Sequence, residues 1–165
     1  MPKRGDILLV KGRGFVARMI RRVTKADWTH AAWVISETEV LESTFTGVHV
    51  NEIESYPKDR IIAVRPDVAE SDLEKALELA RTKLGQRYDF RLFLSLFRAW
   101  LWAFVVPWRK AKVRNSKRAW ICSELVATPL FQVCSFRFND SVPVEEVDPG
   151  DIADAMITGR VRIGG

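Results

Sequence analysis

Between residues 28 and 66 the chain offers four β-type segments in a row, separated only by turn-like stretches. Residues 28–36, 39–44, 47–50 and 60–65 are rich in β-branched and aromatic side chains, and Pro66 stops the last of them. Strands that follow one another without a crossover helix pair antiparallel. A fifth apolar segment, Ile7-Leu8-Leu9-Val10, precedes them behind the turn residues Gly5-Asp6. Glu37-Thr38 is short enough to be a tight hairpin turn between the first two of the four.

Helical patterns come mainly after the strands. Residues 71–84 place Leu73, Ala76, Leu77, Ala80 and Leu84 on one stripe. Ser71 with Glu74 reads as a capping box at its start, and Gly85 as its stop. An earlier helical spacing runs through Phe15, Val16, Met19, Ile20 and Val23 with arginines opposite. Residues 152–157 read as a short helix, residues 136–138 as one more strand, and residues 161–163 as an edge strand. Sheet first and helices after is the order of an α+β fold. The 165 residues suit a single domain, 1–165, interrupted by an apolar and basic insertion at about 91–118.

That insertion is the strongest break in composition. Residues 92–108 are almost wholly apolar and aromatic, slightly short of the roughly 20 residues a membrane span needs. They fit either a buried core helix or a membrane-contacting segment. In the second case Trp100, Trp102 and Trp108 would sit at headgroup depth, and Arg109, Lys110 and Lys112 would meet anionic lipid. Residues 109–118 carry six basic side chains and no acid, while the whole chain is only +5. So local a charge does not make the broad basic face expected of a nucleic-acid binder. No apolar leader follows the basic residues at the start, so the expected compartment is the cytoplasm, with peripheral membrane contact left open.

The chemistry centres on Trp120-Ile121-Cys122-Ser123-Glu124-Leu125-Val126-Ala127, an apolar lead-in to a helix that starts at or near Cys122. A thiol at a helix start faces unpaired N–H groups and the positive end of the dipole, which favours the thiolate. A lone cysteine on a helix is also commonly a small core residue, so partners decide. The other cysteine, Cys134, lies twelve residues on; a disulfide between them would consume the nucleophile, and a reducing compartment is simpler. Pro129 should kink or end the helix.

Two histidines are available as a base. His30 lies early in the first of the four strands and is preferred, because a polar residue in so apolar a strand calls for a reason. His49 alternates with Val48 and Val50 and reads as a solvent-facing strand residue. Glu42 lies one hairpin away from His30, where antiparallel neighbours on one face come within about 5 Å. It is the candidate to orient the imidazole.

Gly5-Asp6-Ile7, Trp28-Thr29-His30, Val40-Leu41-Glu42, Tyr88-Asp89-Phe90 and Cys122-Ser123-Glu124-Leu125-Val126 stand in the order found in circularly permuted, NlpC-type papain-like cysteine hydrolases. The chain most resembles their YiiX-like group, and more distantly the lecithin–retinol acyltransferase-like proteins. Leu84-Gly85-Gln86-Arg87-Tyr88 is similar to the Leu-Gly-x-x-Tyr turn of that family. The resemblance covers roughly residues 5–127. It implies Cys122 as nucleophile, His30 as base, Glu42 as orienting residue and Tyr88 as a hydroxyl beside the site, with the Cys122 backbone N–H in an oxyanion hole. Two departures stand out: the long stretch from 92 to 118 between Tyr88 and Cys122, and Thr29 where serine is frequent. The expected activity is thiol hydrolysis of an amide or ester bond through an acyl-thioester, on a peptide or a lipid acyl group. Acyl transfer at a membrane surface and a non-catalytic binding module on the same fold are the alternatives. No cofactor or metal is expected; Gly12-Arg13-Gly14 is too short for a phosphate loop. Oligomeric state is left open.

Overall fold

A computed structural model describes residues 1–14, 17–18, 21–22, 25–44, 46–86 and 122–164. Six strands form one sheet: β1 (Ile7–Val10), β2 (His30–Val34), β3 (Glu39–Thr44), β4 (Gly47–Glu52), β5 (Ile61–Pro66) and β6 (Val161–Ile163). Their order across the sheet is β4-β3-β2-β1-β5-β6, with every neighbouring pair antiparallel. Three α-helices lie wholly within the described residues and accompany it: α1 (Glu70–Arg81), α2 (Cys122–Cys134) and α3 (Pro149–Asp154). The architecture is the α+β arrangement expected from the sequence, an antiparallel sheet packed against helices with Cys122 at a helix start.

The unbroken Ile-Leu-Leu-Val run of β1 follows from its place between β2 and β5, where both of its faces are buried. Ile7 and Leu9 point into the larger core with Ala31, Trp33, Leu41 and Val64, against Leu73, Ala76 and Leu77 of α1 and Leu125, Val126 and Leu130 of α2. Leu8 and Val10 point the other way, joining Ala32, Val34 and Val40 beneath Ile53, Tyr56 and Ile61. The short turn that opens at Ile53 folds back over this second face, and that return becomes important for the site.

Two local expectations are corrected by tertiary contacts. Helix α1 begins at Glu70 with Ala69 as its N-cap, not at Ser71, and no side chain caps it. Glu74, the expected capping partner, instead accepts from Arg4 Nε and Nη2, while Nη2 also donates to Glu78 at 2.8 Å and Nη1 to the Ile35 carbonyl at 3.0 Å. The helix stops at Arg81, and Gly85 adopts φ +80° in the turn that follows. Pro129 neither ends nor breaks α2, which runs on to Cys134. A proline at 129 cannot donate to the Leu125 carbonyl four residues back. The indole N–H of Trp33 takes that acceptor at 2.9 Å, so the same bond repairs the helix and pins it to β2.

Smaller differences follow the same logic. The connection between β2 and β3 spans more than two residues, with Ile35 and Ser36 N–H both donating to the Glu39 carbonyl. Residues 136–138 are not a strand: Phe136 and Phe138 pack edge to face at 5.0 Å, but their backbone joins no ladder. The last helix begins earlier than expected, on a full capping box of Asp148 and Asp151. Gly14, Ala17, Arg18, Arg21 and Arg22 are helical, while Phe15, Val16, Met19, Ile20 and Val23 lie outside the described residues.

The opening Gly-Asp pair has a structural explanation. Gly5 sits at φ +85°, and a Cβ there would come within 2.9 Å of Leu73. Asp6, 0% exposed, accepts from Arg65 Nη1 at 2.6 Å and from the Lys3 N–H at 2.8 Å. Arg65 in turn reaches Glu70 at 2.6 Å. One buried carboxylate thus ties the start of β1 to β5 and to the first turn of α1.

Candidate active site

Strand β2 presents His30 at its first position, and Ala32 stands opposite Glu42 of β3. His30 and Glu42 are therefore diagonal neighbours on the same face, two residues apart in register. The contact is direct: His30 Nε2 lies 2.5 Å from Glu42 Oε2. Glu42 is almost completely buried, its side chain only 3% exposed. A carboxylate so enclosed must have its lone pairs filled. Its Oε2 also accepts the Tyr56 hydroxyl, and its Oε1 accepts Asn51 Nδ2 at 2.9 Å.

His49 completes this shell. Register places it directly opposite Glu42, and its Nε2 stands 3.3 Å from Glu42 Oε1. The side chain is 39% exposed, so the solvent-facing reading is half right: the ring lies at the rim but turns one nitrogen to the carboxylate. Its Nδ1 faces the Gly47 carbonyl at 3.0 Å.

Cys122 is the first residue of α2, and its thiol and the His30 ring are close enough for each to shift the ionisation of the other. With Nε2 engaged by Glu42, Nδ1 is the ring nitrogen left for the sulfur. Desolvation is the largest influence on the thiol and works against ionisation. The hydrogen bond and charge of His30, then the backbone N–H groups of Ala31 and Ser123, outweigh it and hold the thiol below its ordinary value. The same balance acts on His30. Burial pulls its pKa down, but Cys122 and Glu42 together raise it to about 10. Glu42, despite a burial penalty, is lowered to about 2 by His30, Tyr56 and Asn51. Tyr56 is pushed well above its usual range, by burial first and its hydrogen bond to Glu42 second, so it remains a donor. All three shifts point the same way, toward thiolate, imidazolium and carboxylate.

Packing fixes these groups. The ring of His30 stacks over Tyr56 with centroids 6.4 Å apart. Ser123 Oγ, buried next to the thiol, donates to the Val147 carbonyl at 2.5 Å, and Trp33 holds the following turn of α2. Just before His30, the Thr29 hydroxyl accepts the Gly12 N–H at 2.8 Å, so threonine supplies the anchor here. Both cysteines are free, as they must be: they end a single helix about 18 Å long.

Sequence reasoning named Cys122, His30 and Glu42, and the fold brings all three together. Tyr88 lies outside the described residues, as do Trp100, Trp102, Trp108, Arg109, Lys110 and Lys112. Tyr56 and Asn51 were missed, and His49 was set aside. Asn51 and His49 share the parity of β4 that faces Glu42, a signal readable only once the β3–β4 register is known.

No family model matches the sequence, and no curated protein matches it. A search of solved structures finds the crystal structure of the metalloprotein YiiX from Escherichia coli O157:H7, at a TM-score of 0.62 and 18% identity. The similarity covers 84% of this chain and 70% of that one. The chain therefore shares the YiiX fold.

Proposed function

We propose that the chain is a cysteine hydrolase of amide or ester bonds, with Cys122 as nucleophile, His30 as acid and base, and Glu42 as the orienting group. The observation that carries this is the His30 ring held between the Cys122 thiol and a buried, fully partnered carboxylate. A fold of this kind needs none of the three side chains in line, which weighs against a binding module.

The reaction follows from the ion pair. The Cys122 thiolate attacks the substrate carbonyl, and the oxyanion forms at the start of α2, where the Cys122 backbone N–H and the helix dipole meet it. His30 gives its proton to the leaving amine or alcohol as the carbon–heteroatom bond breaks, and an acyl-thioester remains. Water then loses a proton to neutral His30 as it attacks the thioester. The carboxylic acid leaves, and the thiolate and imidazolium are restored. Glu42 keeps the ring turned edge-on to the sulfur and stabilises its charge throughout.

The neighbouring YiiX structure is described as a metalloprotein. Among the described residues no set of three His, Cys, Asp or Glu side chains is arranged to hold an ion, and Nε2 of both His30 and His49 is turned to the Glu42 carboxylate. Glu42 already carries four partners, and no step is routed through a metal.

An activated acyl ester such as a p-nitrophenyl ester tests the reading. Intact-mass analysis after mixing should show one acyl group added, mapped to Cys122 and absent from Cys122→Ser. Acylation elsewhere, or equal turnover by the variant, contradicts it.

A further inference from the structure

A second acid-free basic run lies far from residues 109–118. From Lys11 to Lys25 the chain carries Lys11, Arg13, Arg18, Arg21, Arg22 and Lys25. Part of it lines a recess of about 250 Å³ formed by Lys11, Arg21, Asp27, Asp59 and Arg60. The position is informative. Val10 stands opposite His30 on one side and Ile61 on the other. The recess opens one residue beyond that row, where the Lys11 N–H donates to the Arg60 carbonyl at 2.8 Å. It therefore leads away from the strand end that carries His30.

Its cations are held in place but not satisfied. Arg60 Nη1 donates to the Lys11 carbonyl at 3.3 Å, and Arg21 Nη1 to the Gly12 carbonyl at 2.8 Å. The Lys11 ammonium lies 4.7 Å above the Trp28 ring. Arg60 Nε is buried from solvent and has no hydrogen-bond acceptor among the described residues. A buried guanidinium N–H without an acceptor is costly, so a turn of the Arg60 fork that brought this N–H to a ligand oxygen would be favoured. The two carboxylates do not meet that need. Asp27 comes no nearer than 3.6 Å to Lys11, and Asp59 no nearer than 3.9 Å to Arg60, both beyond hydrogen-bond distance. Asp59 is 72% exposed against 29% for Arg60, so the acid stands on the rim and the guanidinium inside.

We infer that this recess is a phosphate-binding subsite, which holds a phosphate group of the substrate while its acyl carbonyl meets Cys122. Two fixed guanidinium forks and an ammonium match the several oxygens of a phosphate, and the volume admits the group with a few waters. The inference deepens the hydrolase reading and rests on it for the chemistry, though phosphate binding itself does not require a reactive thiol.

Calorimetric titration of inorganic phosphate into the full chain at low ionic strength tests it. Saturable one-to-one binding is expected, at least tenfold weaker in Arg60→Gln. Asp59→Asn should bind about threefold tighter, a gain that a misfolded variant could not show. Cys122→Ala should bind as the intact protein does, whereas an intact protein that binds phosphate yet cleaves no acyl ester would sink the hydrolase reading and leave the subsite standing. Failure to saturate, or affinities unmoved by both recess variants, overturns the subsite. A second arm compares kcat/KM for a short acyl ester of glycerol phosphate, the same ester without phosphate, and a micellar phospholipid. Preference for the soluble phosphate ester assigns a soluble substrate, and preference for the micelle a lipid headgroup. Equal rates with and without phosphate contradict the substrate assignment.

Discussion

The sheet holds two buried carboxylates that do different work. Asp6 and Glu42 are 0% and 3% exposed in their side chains, and each accepts from a cationic or polar shell. The partner of Asp6 is Arg65, charged at every accessible pH and locked by a second bond to Glu70. The partner of Glu42 is His30, which can give up its proton and faces a thiol. Burial with a permanent cation makes a joint. Burial with a titratable ring beside a thiol is the arrangement that the proposed proton relay requires. The difference lies in the partner, not in the depth of the carboxylate.

The comparison can be broken most severely at the joint. Arg65→Ala leaves the Asp6 carboxylate buried without its cation and should cost about 3–5 kcal/mol. Thermal or urea unfolding measures this, and the reactivity of Cys122 in the folded fraction should be unchanged. A loss below about 1 kcal/mol would mean that the pair is not structural. Glu42→Gln is the reciprocal experiment. It should lose less stability but shift the pH profile of Cys122 alkylation toward that of an ordinary thiol, because His30 loses its charge partner.

The sign of the pH dependence follows from the two shifts. The His30 pKa is raised from 6.5 to about 10, so its contribution to stability is full below pH 6.5 and lost as pH rises through about 10. The Glu42 pKa is lowered from 4.5 to about 2, so its contribution is present above pH 4.5 and lost as pH falls through about 2. Between these limits the pair is intact, and the Glu42→Gln deficit in stability should be greatest there.

A subtler change sharpens the contrast. Tyr56→Phe removes one of the donors to Glu42 and leaves the ring stack over His30. It should cost about 1 kcal/mol and slow alkylation only slightly. A change as large as that of Glu42→Gln would assign Tyr56 a direct part in the chemistry. The smallest effect concerns residues 92–118, where Trp100, Trp102, Trp108 and the basic run are proposed to contact membrane. Hydrolysis should rise a few-fold on phosphatidylserine vesicles, and equal rates with and without them would remove that proposal. Among the described residues no helix is long and apolar enough to cross a membrane.

Much of the candidate site was legible before the structure because its logic is local. A cysteine opening a helix, a histidine early in a strand, and a carboxylate one hairpin away depend on short-range pattern and period. What was not legible depended on distant contacts. Glu74 looked like a capping residue, but Arg4 claims it from the other end of the chain. Pro129 looked like a helix end, but Trp33 supplies the missing donor. Tyr56 and Asn51 reach Glu42 only through the β3–β4 register and the turn that folds back after it. The shell of a site is thus less readable than its reactive atoms, since each shell residue is placed by several elements at once.

The central claim is that Cys122 and His30 form an activated pair. The most direct test is the rate of Cys122 alkylation by iodoacetamide across pH 5–10, for the intact protein and for His30→Ala, with Cys134→Ser in both backgrounds. The account predicts a reaction already near its plateau below about pH 7, and a loss on the order of 10- to 100-fold at pH 6 when His30 is removed. A rate that rises only near pH 8.5 in both proteins, indifferent to His30, would show an ordinary thiol and contradict the account.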